Sequence, residues 1–117
     1  MKVYNCALII DDDPDLCMLL KAMLDRHIPD VSFVHSIQNC REVLINAKPD
    51  VIFIDNNLPD GKGVAYIKEL KQSMADVRII MISAMAGLKA QAVEFGADVF
   101  VEKPLTEFNV QKALEAK

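Results

Sequence analysis

No stretch of this 117-residue chain approaches the ~18 consecutive apolar residues needed to span a bilayer. Met1-Lys2 leads straight into a short strand-like run with no small-residue cleavage site behind it, so no signal peptide is read there. Clustered Lys and Arg are also missing. The 13 basic residues are outnumbered by 17 acidic ones, for a net charge of -4, which argues against a nucleic-acid-binding surface. Cysteine is sparse. Cys6, Cys17 and Cys40 are odd in number and far apart, and none forms a C-x-x-C pair. Reduced thiols in a cytoplasmic protein are the simplest reading, with Cys6 and Cys17 acting as small hydrophobes inside apolar patterns. No G-x-x-x-x-G-K-[ST] or G-x-G-x-x-G occurs, and Gly61-Lys62-Gly63 is too short for a phosphate cradle, which weighs against a nucleotide-binding domain or small phosphohydrolase. Internal repeats, low-complexity stretches and linkers are absent.

What is present is a core. The chain is 52% hydrophobic, too high for disorder. Its length suits one domain covering residues 1–117, which buries roughly two-thirds of the surface of the unfolded chain without a disulfide or structural metal. Short β-branched runs recur at Ala7 to Ile10, Val31 to Val34, Val51 to Ile54, Arg78 to Ile82 and Val99 to Val101. Each is too short for a helix and continuous enough to be buried on both faces. Helical stripes lie between and after them: Leu16, Leu19, Leu20, Met23 and Leu24; Val43, Leu44 and Ala47; Val64, Ile67 and Leu70; Ala90, Ala92 and Val93; Phe108, Val110, Ala113 and Leu114. This (βα)5 alternation predicts an α/β fold, a doubly wound five-stranded parallel sheet with helices on both faces. In the flavodoxin-like strand order 2-1-3-4-5, ligands bind beyond the carboxyl ends of strands 1 and 3, where the order reverses.

The residues at those ends are chemically rich. Strand 1 runs into Asp11-Asp12-Asp13-Pro14, strand 3 into Asp55, strand 4 into Ser83, and strand 5 into Glu102-Lys103-Pro104. Clustered carboxylates repel and need a cation or a proton. An all-oxygen donor set without His or Cys suits a hard cation, and a few carboxylates with open positions suit Mg²⁺, with Mn²⁺ as a substitute. Such a metal beside a carboxylate nucleophile and a lysine is the equipment of phosphoryl transfer. Pro14 fits the first helical position, so Asp13 is the expected N-cap, and Asp11 and Asp12 are left for the metal.

These residues, in this order, resemble the receiver domain of two-component response regulators. The resemblance runs through Leu8 to Pro14, Val51 to Gly61, Ile82-Ser83-Ala84, Phe95 to Asp98 and Phe100 to Pro104. It implies that Asp55 is the phosphoacceptor, that Asp12 is a direct Mg²⁺ ligand with Asp11 acting largely through water, and that the main-chain carbonyl of Asn57 completes the metal shell. It implies that Ser83 bonds the phosphoryl oxygen, that Lys103 pairs with Asp55 and then with the phosphoryl group, that the Lys103–Pro104 peptide is cis, and that Phe100 is the switch aromatic. It also implies a sensor histidine kinase or phosphotransfer protein as donor partner, an output domain or target protein as recipient, and a homodimer as one assembly. Such a domain catalyses its own phosphorylation and dephosphorylation, as a signalling switch rather than a turnover enzyme. A receiver-like module that works by protein interaction alone is the alternative, although such a module is expected to lose a site residue and this chain keeps all of them.

The sequence departs from the family between Ser83 and Gly96, which is a residue or two short and carries Ala84-Met85-Ala86-Gly87-Leu88 without a charge. A short or late fourth helix is expected. Met85 and Leu88 are read as an apolar contact site, with Met85 close enough to the pocket to restrict an attacking water. His27 is read at a helix C-terminus and His35 as a loop residue. The end of the chain at Ala113-Leu114-Glu115-Ala116-Lys117 fits a receiver cut from a longer regulator slightly better than a stand-alone one.

Overall fold

A computed structural model describes residues 3–115. Five strands form one parallel sheet: β1 (Cys6–Ile10), β2 (Asp30–Val34), β3 (Val51–Asp55), β4 (Arg78–Ser83) and β5 (Val99–Glu102). Their spatial order is β2-β1-β3-β4-β5, the order expected from the sequence. Five helices connect or follow them: α1 (Pro14–Leu24), α2 (Ile37–Leu44), α3 (Gly63–Ser73), α4 (Lys89–Phe95) and α5 (Glu107–Glu115). A two-residue antiparallel ribbon pairs Asn57–Leu58 with Gly61–Lys62 between β3 and α3. No helix among the described residues is long and apolar enough to cross a membrane.

Side chains alternate across a strand, and the sheet uses both faces. Ala7, Ile9, Val51 and Phe53 pack with Cys17, Leu20 and Leu24 of α1 and with Val110, Ala113 and Leu114 of α5. Leu8, Ile10, Ile52 and Ile54 point the other way, towards Ile37 and Cys40 of α2, Val64, Ile67 and Leu70 of α3 and Ala92 of α4. Every residue of β3 and β4 is buried, which is why these runs read as continuous rather than alternating. Burying a side chain such as Leu20 or Leu24 contributes about 2 kcal/mol.

Four of the helical stripes need correction. In α1 the buried line is Cys17, Leu20 and Leu24, while Leu19 is exposed. A helix lying on a sheet buries a narrow stripe, and the adjacent apolar position falls outside it. In α2 the helix starts earlier than its predicted stripe, at Ile37, because Ser36 caps it by accepting the Asn39 N–H at 3.0 Å. Val43 and Leu44 pack only partly, and Ala47 lies beyond the last turn. In α4 and α5, Val93 and Phe108 are exposed, and Ala92 and Val110 carry the contact. The fourth helix is short, as expected. One 3-10 turn, Ala86–Leu88, stands before the seven residues of α4. Gly96 ends that helix at φ 119°, a left-handed conformation that favours glycine.

Candidate functional site

The carboxyl ends of β1, β3, β4 and β5 open on one edge, and the tertiary fold brings residues far apart in sequence together there. Single carboxylate oxygens of Asp11, Asp12 and Asp55 all lie within 4.8 Å of one another. Asp11 and Asp55 are buried, whereas Asp12 is exposed. Lys103 reaches in from the loop after β5, its Nζ 3.1 Å from Asp55 Oδ1 and 3.3 Å from Asp11 Oδ2. The Lys103–Pro104 peptide is cis, as the resemblance implied. Glu102, beside Lys103, is exposed and stands outside the carboxylate group.

Local chemistry explains how each aspartate is held. Asp13 is the N-cap of α1, its carboxylate accepting the N–H groups of Asp15 and Leu16, with Pro14 in the first turn. That division of labour matches the sequence reading and leaves Asp11 and Asp12 to face the site. Asp11 Oδ1 accepts the Asp13 N–H at 2.9 Å, and Asp55 Oδ2 accepts the Asn57 N–H at 3.1 Å. Asn57 itself is exposed at the start of the ribbon, with Lys62 Nζ 3.4 Å from its side-chain oxygen.

The cluster holds three carboxylates and one ammonium, and its electrostatics follow from that surplus of negative charge. Burial pushes the Asp11 carboxyl above the ordinary aspartate range. The Asp13 N–H and Lys103 pull it down, Asp55 pushes it up again, and the net direction is upward. Burial alone would lower Lys103, but its hydrogen bond to Asp55 and the charges of Asp11 and Asp55 outweigh it, so the ammonium is held more firmly than usual. Burial and the neighbouring Asp55 disfavour the Asp11 charge, and the same two carboxylates favour the charge on Lys103. A hard divalent cation would offset the surplus of negative charge. The donors are all carboxylate oxygens, and the exposed Asp12 leaves one side of the group open to solvent, so the residues present fit Mg²⁺.

Ser83 stands at the end of β4. It is buried, and its Oγ accepts the Met85 N–H at 3.0 Å, so its hydroxyl proton remains to be donated elsewhere. Met85 is 54% exposed and Leu88 is half-buried, so neither is lost into the core. Phe100 packs partly against the core on the α3–α4 side of the sheet.

Four residues at this edge were given no part in the site by the sequence reading. Asn56 is buried beside Asp55, its carbonyl accepting the Gly63 N–H at 2.8 Å and its side chain the Val64 N–H at 3.1 Å. It pins the start of α3 to the site. Asp60 accepts N–H groups from Ile37 at 2.9 Å and Gln38 at 2.8 Å, tying the loop after Asp55 to the first turn of α2. His35, at the end of β2, and Cys17, in α1, both meet the main-chain oxygen of Asp11. His35 was legible: it directly follows a predicted strand whose neighbour in the 2-1-3-4-5 order is strand 1. Burial pushes the Cys17 thiol up to about 12, with the neighbouring aspartates adding to the rise.

The Asp60 tether has a pH signature. The Ile37 and Gln38 N–H groups hold its carboxyl below the ordinary range. A carboxylate lowered by folding stabilises above its unfolded pKa and loses that contribution as pH falls through the folded value. Asp60→Asn should therefore melt below wild type at neutral pH, with the two melting curves converging in acid below the usual aspartate range. A difference that persists unchanged in acid would assign the loss to something other than this charge.

The comparisons with known proteins agree with the geometry. The family model described as the response regulator receiver domain matches residues 7–115. The chain is 33% identical to chemotaxis protein CheY of Bacillus subtilis, across 93% of this chain and 91% of that one. It is 34% identical to response regulator protein PilR of Pseudomonas aeruginosa, across 85% of this chain but 23% of that protein. The chain thus spans about a quarter of PilR, a much longer protein. Among solved structures, a Burkholderia pseudomallei response regulator carrying a phosphorylated aspartic acid, a calcium ion and citrate superposes with a TM-score of 0.85 at 26% identity, over 94% of this chain and 66% of that one. A Thermotoga maritima response regulator in complex with Mg²⁺ and BeF superposes with a TM-score of 0.85 at 19% identity, over 95% and 96%, a likeness of fold. With a family model spanning nearly its whole length and the family's strand order in its sheet, this chain belongs to the response regulator receiver domains.

Proposed function

We propose that this receiver accepts a phosphoryl group on Asp55 and uses it to change the surface around β5. The observation that carries the reading is the cluster itself, a buried Asp55 beside Asp11 and Asp12, with Lys103 bridging Asp55 and Asp11. Asp11, Asp12, Asp55 and the main-chain carbonyl of Asn57 would hold Mg²⁺, with Mn²⁺ as a substitute. The ion supplies charge neutralisation for phosphoryl oxygens when bound. An Asp55 carboxylate oxygen attacks the donor phosphorus. The bond from phosphorus to the donor's leaving atom, a histidine nitrogen or an acyl oxygen, breaks, and the leaving group keeps that electron pair. Lys103 then pairs with a phosphoryl oxygen in place of the lost carboxylate charge. Ser83 donates its hydroxyl to another, drawing the loop that carries Met85 inward, and Phe100 follows on β5. In a separate step water attacks the phosphorus, the Asp55 oxygen–phosphorus bond breaks with its electron pair kept by Asp55, and the carboxylate returns as inorganic phosphate leaves.

The partners follow from this chemistry. A sensor histidine kinase or phosphotransfer protein delivers the group in the cytoplasm, and an output domain or separate target reads the altered face, with a homodimer as one form of that readout. Residues 1–117 act as one receiver unit. Intact mass after incubation with acetyl phosphate tests the chemistry, with and without Mg²⁺, beside Asp55→Asn. We expect a gain of one phosphoryl mass that needs Mg²⁺ and is absent from the variant. A wild-type protein that stays unmodified with both small donors and kinases would instead be a phosphorylation-independent interaction module.

A further inference from the structure

We infer that His35 is a positioning residue for the divalent-metal site, acting through the main chain of Asp11 rather than on the ion. The inference rests on the reading of Asp11 and Asp12 as metal-binding residues. β2 ends at Val34, whose carbonyl accepts the Asp11 N–H at 3.1 Å, so the strand ends of β1 and β2 are held side by side. His35, the next residue, places Nδ1 2.9 Å from the Asp11 carbonyl oxygen. A carbonyl only accepts, so Nδ1 carries the proton in this contact. The Cys17 thiol, coming from α1, donates to the same oxygen at 3.3 Å. The Phe33 ring lies 5.4 Å from the imidazole, centroid to centroid, and packs beside it.

Two donors from different elements thus converge on one oxygen, and that oxygen belongs to the peptide joining Asp11 to Asp12. Holding the oxygen resists rotation of the peptide plane. The Asp12 carboxylate is exposed, so no packing fixes its rotamer, and the backbone that bears it sets the range it can reach. The Asp11 side chain is already held by the Asp13 N–H. What His35 adds is the relative orientation of two adjacent carboxylates before a cation arrives. Groups that orient metal ligands in this way typically change affinity by about 10- to 100-fold when removed.

The test is Mg²⁺ affinity by isothermal titration calorimetry, with thermal melts in EDTA, on wild type, His35→Leu, His35→Ala and His35→Asn. The asparagine amide N–H stands close to where imidazole Nδ1 stands, whereas leucine and alanine offer no donor. We expect Leu and Ala to weaken Mg²⁺ binding by about 10-fold and Asn to recover most of it, whatever the order of the EDTA melting temperatures. An Asn variant as weak as Leu would overturn the inference, because ring packing would then be the cause. Unchanged affinity in Leu and Ala would overturn it while leaving the metal site standing. A wild type that binds no Mg²⁺ would remove the metal-site reading and this inference together.

Discussion

Gly63→Ala should lower the stability of this domain by roughly 3 kcal/mol, the upper end of ordinary overpacking, and drop its Tm on the order of 10 °C. Gly63 opens α3, and its N–H is bonded to the Asn56 carbonyl. A Cβ built there would collide with the main-chain oxygen of Asp55, and it would sit 2.9 Å from that residue's carbonyl carbon and 3.1 Å from Ile54 Cγ1. The first two obstacles are backbone, so no side chain can swing aside. Either α3 retreats from the sheet or the end of β3 moves, and the second response displaces the residue proposed to receive the phosphoryl group. Phosphoryl uptake should therefore fall even at temperatures where the variant is folded. Thermal melts followed by circular dichroism decide the first point. A Tm within a degree or two of wild type would mean that the close approach is not a constraint.

Charge changes within the cluster should act in opposite directions when no Mg²⁺ is present. Two carboxylates within 4.8 Å of each other repel by about 3 kcal/mol or more at the effective dielectric of protein sites. Asp55 faces two such partners and is offset by Lys103 at 3.1 Å, an attraction of about 5 kcal/mol on the same scale. Lys103 is partly exposed, with 23% of its side chain accessible, so solvent screening weakens that attraction. Asp55→Asn should therefore stabilise the metal-free protein by about 1 kcal/mol, with Lys103 still paired to Asp11. Lys103→Met should destabilise it by about 2 kcal/mol, less than for a fully buried pair, because three carboxylates are left without a cation. Mg²⁺ should raise the wild-type Tm, by an amount corresponding to about 2.7 kcal/mol at 100 times its Kd, and reduce the advantage of Asp55→Asn. Melting in EDTA and in Mg²⁺ separates these effects. An Asp55→Asn variant that melts below wild type in EDTA would sink the argument, as would a Lys103→Met variant that melts above it. The sign asymmetry has a general basis: binding sites hold charge that folding alone would not choose.

How much of this was legible depends on the range of the cause. The five strands were readable because burial on both faces forces runs such as Val51 to Ile54 to be continuously apolar, and that is a property of neighbours in the chain. The same holds for the Asp13 cap, where Pro14 and the following turn lie within a few residues. Helix faces were harder. Leu19 and Phe108 are apolar and correctly spaced, yet both are exposed, because which stripe meets the sheet depends on how each helix is rotated against it. Spacing cannot distinguish Cys17 from Leu19 on that point.

The site divides in the same way. Asp11, Asp12, Asp55, Ser83 and Lys103 could be named because each follows a predicted strand, and a parallel sheet sends all its strand ends to one edge. Their chemistry, oxygen donors with one ammonium, was likewise a matter of residue type. Distances were not. That Lys103 bridges Asp11 and Asp55, that Asp60 reaches back to α2, and that His35 and Cys17 share one carbonyl oxygen are contacts between segments 6 to 92 positions apart. The sequence by itself determined the element order, the sheet and the kind of chemistry at its edge, since local burial patterns and residue types carry those. Only the tertiary structure decided which side of each helix is buried and which side chains hold the aspartates in place, because packing between distant segments sets both.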